Sequence, residues 1–202
     1  MRNSWIWIIP LLIVSFLTGI YIAGGGFSFF KFGPSGIGQA SLPAAVLSEA
    51  GSQEKFRFLS NQRSNSCGLQ AASIIGYSDT ERLQGSCCNP IDLHRYQEQV
   101  EGLKKYANIS LIPKDPYDIP VSLAKELFGY KNSINLTSDQ QAIYDQAMKL
   151  SMEGGPCCCQ CWRWDAFEGQ AKYLITKYNF TSQQIADVWD IEDGCGGTHE
   201  HG

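Results

Sequence analysis

Four of the chain's eight cysteines fall within five consecutive positions, in the stretch Gly154-Gly155-Pro156-Cys157-Cys158-Cys159-Gln160-Cys161-Trp162-Arg163-Trp164. Thiols so dense must be bridged, buried or ligated, and that demand constrains the chain more than any other stretch. Proline is pre-shaped for the first helical position and the glycines release the chain from what precedes it, so the cysteines read as the opening turn of a helix. On such a helix Cys157 and Cys161 stack at i and i+4, Cys158 and Cys161 share a face, and Cys159 points elsewhere. Unpaired amides and the positive end of the helix dipole favour thiolate over thiol there.

The run Trp5 to Ala23 carries no charge over nineteen positions, about what a helix needs to cross a ~30 Å hydrocarbon layer. Residues 1–23 therefore read as a single N-terminal transmembrane anchor. A cleaved signal peptide is the rival, opposed by Tyr21 in Tyr21-Ile22-Ala23, where a small residue is wanted, and by the lack of a lipobox cysteine. Arg2 before the run and a lone Lys31 after it place the body on the extracytoplasmic side of the membrane. Residues 24–50 form a Gly/Phe-rich juxtamembrane linker, and residues 51–202 a cysteine-rich helical domain long enough for a core of its own. A net charge of −4 without any Lys/Arg cluster argues against a nucleic-acid partner.

The body is expected to be mainly α, an irregular helical bundle, since no stretch alternates apolar and polar residues long enough to make a convincing strand. Asn65-Ser66 is read as the cap of a short helix carrying Cys67, Leu69 and Ile74. Asn89-Pro90 opens an amphipathic helix through Leu93, Tyr96, Val100 and Leu103. After the proline-rich segment 112–120, a helix is predicted over Val121 to Tyr130. Capping boxes at Thr137-Ser138-Asp139-Gln140 and Thr181-Ser182-Gln183-Gln184 start two more. Between these the helix of the cysteine motif runs to about Tyr178, with Trp162 and Trp164 shielding the thiols and Arg163 outward or paired with Asp165.

Cys67, Cys87-Cys88 and Cys157-Cys158-Cys159-Cys161 each lie at a predicted helix start, and Cys195 lies at a helix end. In an antiparallel bundle such termini can gather at one pole. Eight sulfurs there, with Met148, Met152 and His94 in reach, would select copper, zinc or an iron–sulfur cluster over magnesium or calcium. Adjacent cysteines suit two- or three-coordinate Cu(I) or a polynuclear cluster better than tetrahedral zinc, because successive residues cannot all face one ion. Two rivals stay open: a structural or interaction domain stapled by up to four disulfides, and a thiol–disulfide oxidoreductase. His199 and His201, in a short tail beside Cys195, are further candidate ligands.

The hexapeptide Pro156-Cys157-Cys158-Cys159-Gln160-Cys161 resembles the signature of the PCYCGC-motif family of exported or lipid-anchored bacterial proteins. Proline and the alternating Cys157, Cys159 and Cys161 coincide, while Cys158 stands for the tyrosine and Gln160 for the glycine. A glycine-flanked Cys195 follows here too. The likeness covers at most the last fifty residues and implies an exported, metal- or redox-linked domain without naming a reaction. The expected function is thus a membrane-anchored extracytoplasmic protein that binds a soft metal ion, copper above all, for storage, delivery or sensing without turnover. Its expected partners are the membrane and a metal-handling protein.

Overall fold

The computed structural model describes residues 48–197. The expected anchor, most of the linker, and His199 and His201 lie outside the described residues. Among these, no helix is long and apolar enough to cross a membrane.

The described body is mainly helical. Its order is α1 (Gln53–Ser60), α2 (Ala71–Ile75), β1 (Arg82–Gln84), α3 (Leu93–Leu103), β2 (Asp118–Pro120), α4 (Val121–Ser133), α5 (Ser138–Leu150), α6 (Trp162–Tyr178) and α7 (Ser182–Glu192). Both capping boxes form as read, with Thr137 and Thr181 accepting from Gln140 N and Gln184 N. Helix α6 ends at Tyr178, where Asn179 turns left-handed at φ 54°.

Three expectations are corrected. Strands β1 and β2 pair antiparallel with Leu83 opposite Ile119; three residues each is too short for alternation to show. Helix α2 begins at Ala71, not beside Asn65, which is buried and spends its side chain on distant partners. Helix α3 begins at Leu93 under an Asp92 cap, because Asn89 and Pro90 are engaged by the 195–197 segment, Asn89 N donating to Cys195 O and Gly197 N to Pro90 O.

The core gathers Trp162, Phe167, Leu174 and Trp189 with Leu127 and Ile119, all nearly inaccessible. The most extensive helix packing is α4 against α6. Gly169 makes it possible, since a Cβ there would overlap the Leu127 carbonyl on α4. A smaller cluster, Leu59, Ile91, Tyr96, Val100 and Tyr117, joins α1 and α3. Between the two lies Asp118, which Lys55 approaches to 2.6 Å and which Arg82 and Gln84 also donate to. Burial pushes its carboxyl up, and the Arg82 and Lys55 cations more than offset this, leaving it below the usual range.

Glu192, at the end of α7, is fully buried, and its only donor among the described residues is Gln170 Nε2 at 2.7 Å on one oxygen. Burial raises its carboxyl to about 8. A folded-state value above the unfolded one gives stability that is complete below the unfolded pKa and is lost as pH rises through the folded one. Glu192→Gln stays neutral throughout, so its stability relative to the parent chain should increase between about pH 5 and 8, by more than the ~1.4 kcal/mol that one pKa unit carries. Denaturant midpoints across that range check this. Gly169→Ala should cost about 2–3 kcal/mol, the penalty of overpacking a site walled by backbone, read as a lower thermal midpoint.

Candidate metal centre

The cysteine motif is not a helical turn. After a turn at Gly154, φ 69°, residues 155–161 run as a chain of bends, and α6 begins only at Trp162 with an extended Cys161 as its cap. Regular helix would spread successive thiols around a cylinder. The loop instead brings the sulfurs of Cys157, Cys158 and Cys159 within 4.8 Å of one another.

Backbone clamps bring the other cysteines to this loop. Trp162 N donates to Leu69 O at 2.9 Å, and Trp162 Nε1 donates to Asn65 Oδ1 at 2.9 Å. Asn65 in turn donates through Nδ2 to Gly85 O at 2.9 Å. That one buried amide thus ties the Cys67 segment to the segments before Cys87 and after Cys161. Opposite, Cys87 N donates to Gly194 O at 3.0 Å and Ser86 Oγ to Cys195 O at 2.8 Å, which lays the 86–89 strip along 194–195.

The outcome is a pool of free thiols. Sulfur separations are 3.5 Å for Cys87–Cys88, 3.6 Å for Cys87–Cys195 and Cys88–Cys158, and 3.8 Å for Cys157–Cys195. Metal–sulfur bonds of ~2.3 Å place two ligands of one ion roughly 3.8–4.0 Å apart; Cys157–Cys195 has that spacing and the other three pairs fall just inside it. Two pairs are closer, Cys67–Cys88 at 2.6 Å and Cys158–Cys195 at 2.7 Å. Four groups could hold a metal ion: Cys67, Cys87, Cys88 and Cys159; Cys87, Cys157 and Cys195; Cys88, Cys158 and Cys195; and Cys157, Cys158 and Cys159. Cys161 belongs to none of them; it is buried and hydrogen-bonded to Cys157.

His94 forms an exposed pair with Glu98 at 3.2 Å and lies in none of these groups. Met152 is exposed, while the Met148 methyl lies beside Gly155.

Arg163 is a correction and the main residue that sequence reasoning misplaced. It points inward and is 1 % exposed, and Asp165 pairs instead with Lys131. Its guanidinium donates to the carbonyls of Glu192, at 3.0 Å, and Pro116, and lies over the rings of Trp162 and Phe167. A Cβ on Gly194 would strike it, so glycine beside Cys195 is a steric requirement. Burial disfavours its charge, and the neighbouring Cys87, Cys157 and Cys195, with Asp193, more than offset that. A signal was present: Arg163 shares the buried stripe of Phe167, Gln170 and Leu174 at helical spacing.

The thiols respond as a set. Hydrogen bonds from Cys161, Cys195 and Cys87, aided by Arg163, hold Cys157 far below the ordinary thiol range. Those three donors are pushed up in exchange, and burial pushes Cys88 up to about 12. One thiolate circled by thiols and set against a buried cation is a soft, anionic ligand field.

Cys88 and Cys158 are exposed while Cys157, Cys161 and Cys195 are buried. A cleft of about 590 Å³, lined by Arg57, Arg63, Asn65, Ser86, Cys87 and Cys88 among others, leads from solvent to the pool. Compared with protein-family models, with curated proteins and with solved structures, the chain matches none.

Arg163→Met should move the first thiol ionisation of the metal-free protein to higher pH, followed anaerobically by ultraviolet thiolate absorbance. An unmoved titration would show that the guanidinium plays no part in the thiolate's stability.

Proposed function

We propose that this protein is a membrane-anchored, extracytoplasmic cysteine-rich protein that binds a soft metal ion, Cu(I), for storage, delivery or sensing. The observation that carries the reading is the convergence of seven cysteine sulfurs into four groups that could each hold a metal ion, with Cys87, Cys157 and Cys195 beside one buried cation. Three of the four groups offer three sulfurs, which suits the low coordination numbers of Cu(I) and leaves zinc short of its tetrahedral shell. Exposed Cys88 and Cys158 at the surface of a buried pool suit exchange with a metal-handling partner.

The anchor rests on the uncharged run of residues 5–23 and the side of the membrane on Arg2. Kinship with the PCYCGC-motif family rests on Pro156, Cys157, Cys159 and Cys161. A second reading, a disulfide-stapled domain, draws support from the two closest sulfur pairs, Cys67–Cys88 and Cys158–Cys195. Under it those two bridges would dominate a peptide map of the protein purified in air.

Anaerobic purification with metal analysis and thiol counting separates the readings. The protein should carry copper with thiols that titrate once the metal is chelated, and Cys157→Ser with Cys195→Ser should remove most of it. Full thiol oxidation without metal in the anaerobically prepared protein would refute the copper assignment.

A further inference from the structure

Within the Cu(I) reading above, on which this step rests, the way the sulfur groups interlock says how many ions the site takes. Each of Cys87, Cys88, Cys157, Cys158, Cys159 and Cys195 belongs to two of the four groups, and every two groups share one sulfur. Among these six sulfurs only three pairs share no group: Cys87 with Cys158, Cys88 with Cys157, and Cys159 with Cys195. A set in which each member neighbours four others and faces one is an octahedron. Four groups that meet pairwise at single vertices are four alternate faces of it.

We propose that the site holds a tetranuclear Cu(I)–thiolate cluster, one ion in each group, with the six shared cysteines each bridging one edge of the metal tetrahedron. Every ion then has three sulfur ligands, a coordination that Cu(I) accepts. Cys67 stays a thiol beside the corner formed by Cys87, Cys88 and Cys159, whose three bridging sulfurs complete that ion's shell. Cys161 is not a bridge.

Charge favours this filling. Four Cu(I) ions and six thiolates sum to two negative charges, and the buried Arg163 guanidinium lies beside Cys87, Cys157 and Cys195, the three sulfurs of one corner. Four divalent ions in the same frame would leave two positive charges beside a buried cation, an arrangement that the low-dielectric interior disfavours. Loading is a ligand substitution without electron transfer. The four incoming Cu(I) ions leave their carrier ligands, six sulfur–proton bonds break, twelve sulfur–copper bonds form, two at each bridging sulfur, and the six protons pass to buffer.

The test is an anaerobic titration of the reduced full chain with the Cu(I)–acetonitrile complex, followed by luminescence and native mass spectrometry. The expected result is a plateau at four equivalents, one for each sulfur group, with metal-free and four-copper species dominating at intermediate loading. X-ray absorption of the loaded protein should show sulfur-only, three-coordinate copper with short copper–copper vectors. Cys158→Ser opens two corners and should abolish the four-copper species, whereas His94→Ala, at an exposed residue outside every group, should keep it. Saturation at one or two equivalents, or equal loss of the four-copper species in both variants, would overturn the cluster and leave copper binding standing. No copper uptake by the parent chain would overturn both.

Discussion

A guanidinium buried at the centre of a protein must be answered by an anion, and Arg163 is answered by sulfur. It carries two carbonyl acceptors, Glu192 O and Pro116 O, but no carboxylate salt bridge among the described residues. Its strongest favourable electrostatic neighbours are Cys87, Cys157 and Cys195. Removing a charge from water costs several kcal/mol even after relaxation, so Arg163 favours thiolate character at Cys157, with the Asp193 carboxylate adding to the answering charge. The same residue holds α6 to α7 and to the segment before β2, and Gly194 is small because the guanidinium lies against it. Ligand electrostatics and tertiary packing are therefore one feature.

The second determinant is that every cysteine sits off regular structure. A helix fixes thiol directions every hundred degrees or so and a strand alternates them, and neither can aim three consecutive side chains at one point. Loops can, at a cost in conformational entropy of ~1–2 kcal/mol per residue fixed. Here they are held by partners far along the chain: Trp162 to Asn65 and Leu69, Cys87 to Gly194, Asn89 to Cys195. The clamps from Trp162 N to Leu69, Cys87 to Gly194 and Asn89 to Cys195 join backbone groups, so they do not depend on the side chains there, whereas the Trp162–Asn65 clamp does.

This division explains what could be read from the chain alone. Helices α4 to α7 were legible because their signals are local: Pro120 before Val121, two capping boxes, and an apolar stripe through Phe167 and Leu174. The gathering of sulfurs was legible too, since cysteines beside helix ends can share a pole whether or not the helix includes them. The conformation at Cys157–Cys161 was not. Pro156 satisfies the local rule for a helix start, and the outcome was decided by hydrogen bonds to residues some ninety positions away. The inward turn of Arg163 was obscured because an arginine between two tryptophans and an aspartate has an acceptable surface reading. Strands β1 and β2 were hidden by their length, and they depend on Lys55 and Arg82 meeting at Asp118.

Exposure across the pool runs in one direction. Cys157, Cys161 and Cys195 lie buried against Arg163, whereas Cys88 and Cys158 face solvent, with Cys87 and Cys88 lining the cleft. Two arginines, Arg57 and Arg63, also line that cleft, and no acidic residue does, in a chain whose net charge is −4. Under the Cu(I) reading, local positive potential at the mouth would raise the concentration of anionic carriers, and the inner thiolate would supply the stronger ligand. On that reading, a soft cation entering as an anionic complex would be attracted first through its carrier and then pass to the thiolate by ligand exchange. That gradient would give a metal site here a direction, which a symmetric structural metal site does not have.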